Sequence, residues 1–184
     1  MPKTSTYDFI SRVNHWVIAL VVIGMIGFGL YLAYGGLARE DRGPLIAIHK
    51  SIGVLVFGFG VWRVLWRIVQ GFPASASAMP AWQETASKFA HWGLMAGTLL
   101  MPLSGVLSSV FRGRAVEVFG WFAIPAQTEI TWLASLGSAT HQFVGYGLAA
   151  LVTVHVAAAL KHHFHDTDLT LKRMLRGESQ TGPS

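Results

Sequence analysis

Eight histidines are the residues in this chain best suited to chemistry: His15, His49, His91, His141, His155, His162, His163 and His165. Two of them set a ruler. His155 follows His141 by 14 residues. At about 100° per residue that step falls about 40° short of four full turns, so on a helix both side chains face one way, about 21 Å apart along the axis. Imidazoles so placed can hold two groups stacked at two depths. Gly29, Arg63 and Gly105 follow His15, His49 and His91 by the same 14 residues. Pairs of neutral imidazoles on facing helices suit haem iron with both axial positions filled by protein. Zinc would want three or four ligands at one depth, and a proton relay would bring carboxylates into the same segments. The spans that hold His15, His49, His91, His141 and His155 contain neither Asp nor Glu. Filled axial positions leave electron transfer as the natural role.

The elements that must position these residues are membrane helices. Of the 184 residues, 12% are charged and 52% are hydrophobic. An ordinary soluble domain carries roughly 25% charged residues. Cys is absent, which excludes a disulfide framework, thiolate metal sites and covalent haem attachment through CxxCH. Val13–Ala38, Phe89–Phe111 and Ile130–Leu160 carry no formal charge, and each is long enough to cross a bilayer. A fourth candidate, Pro44–Val69, is interrupted by Lys50, Arg63 and Arg67, whose long side chains can reach the interface. The fold expected is all-α: one integral membrane four-helix bundle over residues 1–184, with spans at about 13–34, 44–69, 86–110 and 137–163. Pro44 is expected in the first turn of its helix and Pro102 to kink the third. Gly71–Pro80 reads as a linker, and 112–136 as a long outer loop lying on the membrane through Trp121, Phe122 and Trp132.

Four spans put both termini and the second loop on one side. Nine basic residues fall there (Lys3, Arg12, Arg63, Arg67, Lys88, Lys161, Lys172, Arg173 and Arg176) against five on the other (Arg39, Arg42, Lys50, Arg112 and Arg114). The positive-inside rule then places both termini in the cytoplasm. The net charge of +5 follows from that topology and from anionic lipid headgroups, and no basic face suggests nucleic acid.

This topology sorts the histidines. His49 opens its helix at the outer level and is the partner available there to His141. At the inner level His15 and His91 both open their helices, so either can face His155, and His162 is a further candidate at the helix end. Spacing leaves the inner pair open. Arg63 shares a face with His49 one level inward, where it can meet a haem propionate. Gly29 and Gly105 would let backbone approach a flat ring. Lys161–His165 reads as a solvated helix C-terminus, where cations suit the dipole.

Several motifs together resemble the bacterial cytochrome b561 family. They are His15-Trp16, His49-Lys50-Ser51-Ile52-Gly53, Arg63-Val64-Leu65-Trp66-Arg67 and Ala90-His91. Val118-Phe119-Gly120 with Ile124-Pro125, His155-x4-Leu160-Lys161-His162-His163-Phe164 and Asp168-x2-Leu171-x2-Met174 continue the match. The resemblance covers nearly the whole chain. It extends to the cytochrome b subunits of nickel–iron hydrogenase and respiratory formate dehydrogenase. It implies a bacterial inner-membrane protein with two haems b per chain, held by His15 with His155 and by His49 with His141. His91 then becomes a quinone or propionate contact, and His162 a quinone contact. The implied activity is electron exchange between the quinone pool, ubiquinone in particular, and a one-electron partner. Superoxide at the periplasmic side is one such partner, steered by Lys50, Arg112 and Arg114. An alternative implied role is a haem b anchor subunit taking electrons from a hydrogenase or dehydrogenase partner protein.

Overall fold

A computed structural model describes residues 7–71 and 80–177. Four long helices dominate it: α1 (Phe9–Tyr34), α2 (Arg39–Gln70), α3 (Ala81–Val110) and α4 (Thr131–Phe164). All four are long and apolar enough to cross a membrane. Their outward side chains agree with that solvent: Leu20, Val154 and Phe143 are 66%, 62% and 85% exposed. Such a surface is stable against lipid and not against water. A short hairpin, β1 (Val116–Val118) with β2 (Phe122–Ile124), sits between α3 and α4, and a short helix, α5 (Thr170–Leu175), follows α4.

Helix ends follow local chemistry. Asp8 caps α1, accepting from the Ser11 N–H at 2.8 Å and from its hydroxyl at 2.6 Å. Helix α2 begins at Arg39, so Pro44 lies inside it and not in its first turn. The sequence Arg39-Glu40-Asp41 starts the helix earlier than expected because acidic residues in a first turn complement the helix dipole. Gly71 ends α2 at φ +69°, a conformation that suits glycine, with its N–H donating to the Arg67 carbonyl. Helix α3 runs through Pro102. The body of the Gly71–Pro80 linker and the residue Lys3 lie outside the described residues.

Helices α3 and α4 meet backbone to backbone. A methyl group at Gly137 would lie 2.8 Å from the Ser108 nitrogen and 2.9 Å from the Ser104 carbonyl oxygen. Small residues permit this approach in membrane bundles, where packing rather than hydrophobicity holds helices together. The buried core is Ile18, Val22 and Leu148, flanked by Ile26, Val56, Leu94, Met101 and Val152. Leu148 stands seven residues from both His141 and His155, so this apolar plug separates the two histidine levels.

The outer connection differs from the loop expected at 112–136. Helix α4 starts at Thr131, and the shorter connection forms an antiparallel hairpin pairing Val116 with Ile124 and Val118 with Phe122. Val116 and Val118 point into the bundle and are 1% and 0% exposed. Phe119 and Gly120, both at positive φ, turn the chain. Trp121, Phe122 and Trp132 are exposed at the same end.

Candidate functional site

The long helices bring the histidines together at two levels. At the outer level the rings of His49 (α2) and His141 (α4) are 6.2 Å apart, with planes at 79°. At the inner level His15 (α1) and His155 (α4) are 6.3 Å apart, with planes at 70°. His91 (α3) also reaches the inner level, its ring 5.8 Å from that of His155. His155 is thus shared by both inner candidates.

The separations allow a test of fit. Two imidazole nitrogens bound opposite each other to one metal, at about 2.0 Å each, place their ring centres about 6.3 Å apart. Both the 49/141 and 15/155 pairs meet that spacing. An apolar cavity of about 400 Å³ opens between the outer pair, lined by His49, His141, Gly53, Gly105, Val116 and Leu148 among others. Arg42 and Lys50 are the cationic residues lining it. His49 Nδ1 is buried without a hydrogen-bond partner among the described residues. An apolar slot with two facing imidazoles and a cationic lining fits the donor set and acidic substituents of haem.

His141 is held in the orientation a ligand needs. Its Nδ1 lies 2.8 Å from the Met101 carbonyl oxygen, which can only accept. Nδ1 therefore carries the proton, and Nε2 keeps its lone pair for a metal. The Ser104 hydroxyl lies 3.5 Å from the same nitrogen. Gly105 makes room for the ring: a methyl there would stand 3.1 Å from both Cε1 and Nδ1 of His141. Gly29 does likewise for His49, at 3.5 Å from Cε1. Both glycines of the 14-residue step therefore border imidazoles, where the sequence suggested clearance for a flat cofactor ring.

The inner level carries a cation against His15. Arg63 donates to Asn14 Oδ1 at 3.2 Å and to His15 Nδ1 at 3.0 Å. A guanidinium only donates, so Nδ1 is the acceptor here and the ring proton lies on Nε2. Ligation through Nε2 needs the other tautomer, so Arg63 must leave Nδ1 when His15 binds a metal. A guanidinium released there suits a carboxylate, such as a haem propionate would offer. Asn14, 5% exposed, keeps a buried Nδ2 without a partner among the described residues beside it.

His91 and His162 differ in surroundings. His91 sits in the inner cluster with Ser87 Oγ 3.4 Å from its Nδ1. His162 turns to carboxylates at the end of α4, its Nδ1 3.0 Å from oxygens of both Asp166 and Asp168. Lys161 also binds Asp166, at 2.7 Å, and this hydrogen bond holds the Asp166 carboxyl below its ordinary range.

Three features that support the site were given no role by the sequence pattern. One is the Met101 carbonyl. Another is Asn14. The third is Ser51, whose buried hydroxyl accepts from the Phe119 N–H at 3.3 Å and lies 3.0 Å from the Glu117 carbonyl oxygen. It thereby ties the hairpin to α2 two residues after His49.

Comparison with known proteins agrees with this architecture. Residues 6–177 match the family of prokaryotic cytochrome b561. The chain is 35% identical over 174 residues to "Cytochrome b561 homolog 2" of Escherichia coli K12, covering 92% of this chain and 90% of that protein. It is 28% identical over 166 residues to "Cytochrome b561 homolog 1" of the same organism, covering 88% and 92%. It is 24% identical over 161 residues to "Probable superoxide oxidase CybB" of Yersinia pestis, covering 88% and 90%. A helical bundle with paired intramembrane histidines and a family match over nearly its whole length assign this chain to the prokaryotic cytochrome b561 family, as a bacterial transmembrane electron carrier of the haem b type.

Proposed function

We propose that the protein carries two haems b per chain and passes electrons across the membrane between a one-electron partner outside and ubiquinone inside. The observation that carries this reading is the pair of matched ring separations, 6.2 and 6.3 Å, at the two ends of one face of α4. His49 with His141 would hold the outer group, and His15 with His155 the inner. The 5.8 Å spacing between His91 and His155 is tighter than a shared metal requires, which favours His15 as the inner ligand. His91 is then left beside the inner group as the quinone or propionate contact. The carboxylates around His162 leave it less suited to a quinone oxygen. When bound, haem b would supply a reversible one-electron change at iron.

The remaining work falls to the chain's own residues. Leu148 and its neighbours fill the layer between the two levels and keep water from it. Arg63 stands ready to neutralise a carboxylate at the inner level. The inner face is proposed to be cytoplasmic with both termini on it, as the excess of basic residues at that end supports.

For the outer partner we propose superoxide. Lys50 and Arg42 line the outer cavity, and Arg112 and Arg114 lie on the connection beside it, so the approach for a small anion is cationic. Two superoxide anions each give up one electron and leave as dioxygen; two electrons and two protons convert ubiquinone to ubiquinol. The test supplies the purified protein with a steady superoxide source and a soluble ubiquinone analogue. Ubiquinol should form in proportion to the superoxide consumed, with a rate that falls as salt rises and falls further in Lys50→Gln/Arg114→Gln. Haem reduction that is independent of superoxide, or a rate indifferent to salt and to both substitutions, would refute the assignment.

A further inference from the structure

Helix α5 builds a second cavity at the opposite end of the molecule from the hairpin. It is a groove of about 280 Å³ lined by Phe9, Arg12, Val13, Trp16, Val17 and Leu20 of α1 and by Met174 and Leu175 of α5. The apolar lining follows the 3- and 4-residue steps of one helix face. Two hydrogen bonds fix the second wall: the Trp16 indole N–H donates to the Met174 carbonyl at 3.1 Å, and Arg12 donates to the Leu175 carbonyl at 3.2 Å.

The cation in this groove is incompletely used. Arg12 Nε is buried without a hydrogen-bond partner, and no carboxylate pairs with Arg12 among the described residues. The acids near this end are engaged elsewhere: Asp8 caps α1 through Ser11, Asp166 binds Lys161, and Asp168 accepts from the Thr170 N–H. Helix α5 adds the exposed Lys172, while its Arg173 is buried. The groove therefore joins an apolar trough to the Arg12 cation.

We infer that this groove binds one anionic phospholipid, with its phosphate on Arg12 and one acyl chain along Val13, Val17 and Leu20. Length supports the assignment. From Arg12 to Leu20 is eight residues, or about 12 Å of helix, close to the depth of one leaflet of a hydrocarbon core of about 30 Å. A polyprenyl quinone tail outruns such a trough, and a neutral headgroup leaves its cation unanswered. Basic pockets beside membrane helices recognise acidic headgroups in this way. The lipid would close the seam between α1 and α5 next to His15, and so couple the C-terminal helix to the bilayer.

The test uses the full chain purified in mild detergent. Native mass spectrometry should retain phosphatidylglycerol in preference to phosphatidylcholine when both are supplied equally. Added phosphatidylglycerol should raise the thermal unfolding midpoint by several degrees, and phosphatidylcholine should not. Arg12→Gln removes the phosphate contact and should abolish the preference. Val17→Trp keeps the cation but fills the trough, and should lower lipid retention without loss of the visible spectrum. Equal retention of the two lipids, or an undiminished preference in both variants, overturns the proposal.

Discussion

Gly105→Ala is a sharp perturbation of the outer histidine pair. The added methyl would stand 3.1 Å from both Cε1 and Nδ1 of His141, where unstrained carbon contacts lie at about 3.5–4.0 Å. The ring must therefore give way by a few tenths of an ångström. It is not free to do so, because its Nδ1 is bound to the Met101 carbonyl at 2.8 Å. Overpacking of this kind costs about 1–3 kcal/mol. At about 1.4 kcal/mol per tenfold, outer haem affinity should fall by about 5- to 150-fold. Gly29→Ala is the matched control. Its methyl would meet His49 Cε1 at 3.5 Å, an ordinary contact, so haem affinity should hardly change. Alanine also favours helix over glycine by about 1 kcal/mol, so neither substitution weakens its helix through propensity. Haem content and low-temperature absorption spectra of the purified variants read the outcome. Gly105→Ala should lose outer haem and keep inner haem. Full retention of both haems, or equal loss in the two variants, would refute the reasoning.

Two further substitutions follow from hydrogen bonds that the fold creates. Ser51→Ala leaves the Phe119 N–H and the Glu117 carbonyl without their partner, at a cost of about 1–3 kcal/mol; amide exchange at Val116 and Val118 should accelerate, and unchanged exchange would show that the hairpin is held by its valines alone. Arg63→Gln removes a positive charge beside His15; the oxidised state of the inner haem gains relative stability, so its midpoint should drop by tens of millivolts while the outer one stays, in potentiometric titration. A shift confined to the outer midpoint would contradict the placement of Arg63.

Much of this arrangement is legible in the residues themselves. Charge-free stretches mark the helices because a bilayer tolerates few ions, and the step from His141 to His155 marks two levels because a helix repeats. What escaped the sequence depends on tertiary contact. The hairpin rests on Val116 and Val118, two apolar positions too few to announce a strand, and becomes stable by docking on Ser51. Helix α4 begins six residues before the expected span because Thr131–Leu136 is uncharged and holds neither Gly nor Pro to stop the helix. Helix α5 is six residues long and depends on carbonyl contacts with Arg12 and Trp16, which no local pattern encodes. The Met101 carbonyl that orients His141 is backbone and has no residue code. Spacing could not choose between His15 and His91, because both do reach His155.

The central claim is that four histidines hold two haems in two pairs, and haem counting tests it most directly. Pyridine haemochrome analysis of the purified protein should give two haems b per chain. His49→Ala and His141→Ala should each lose the same spectral component, and His15→Ala and His155→Ala the other. A single haem in the unaltered chain would contradict the account. So would loss of the inner component in His91→Ala with its retention in His15→Ala.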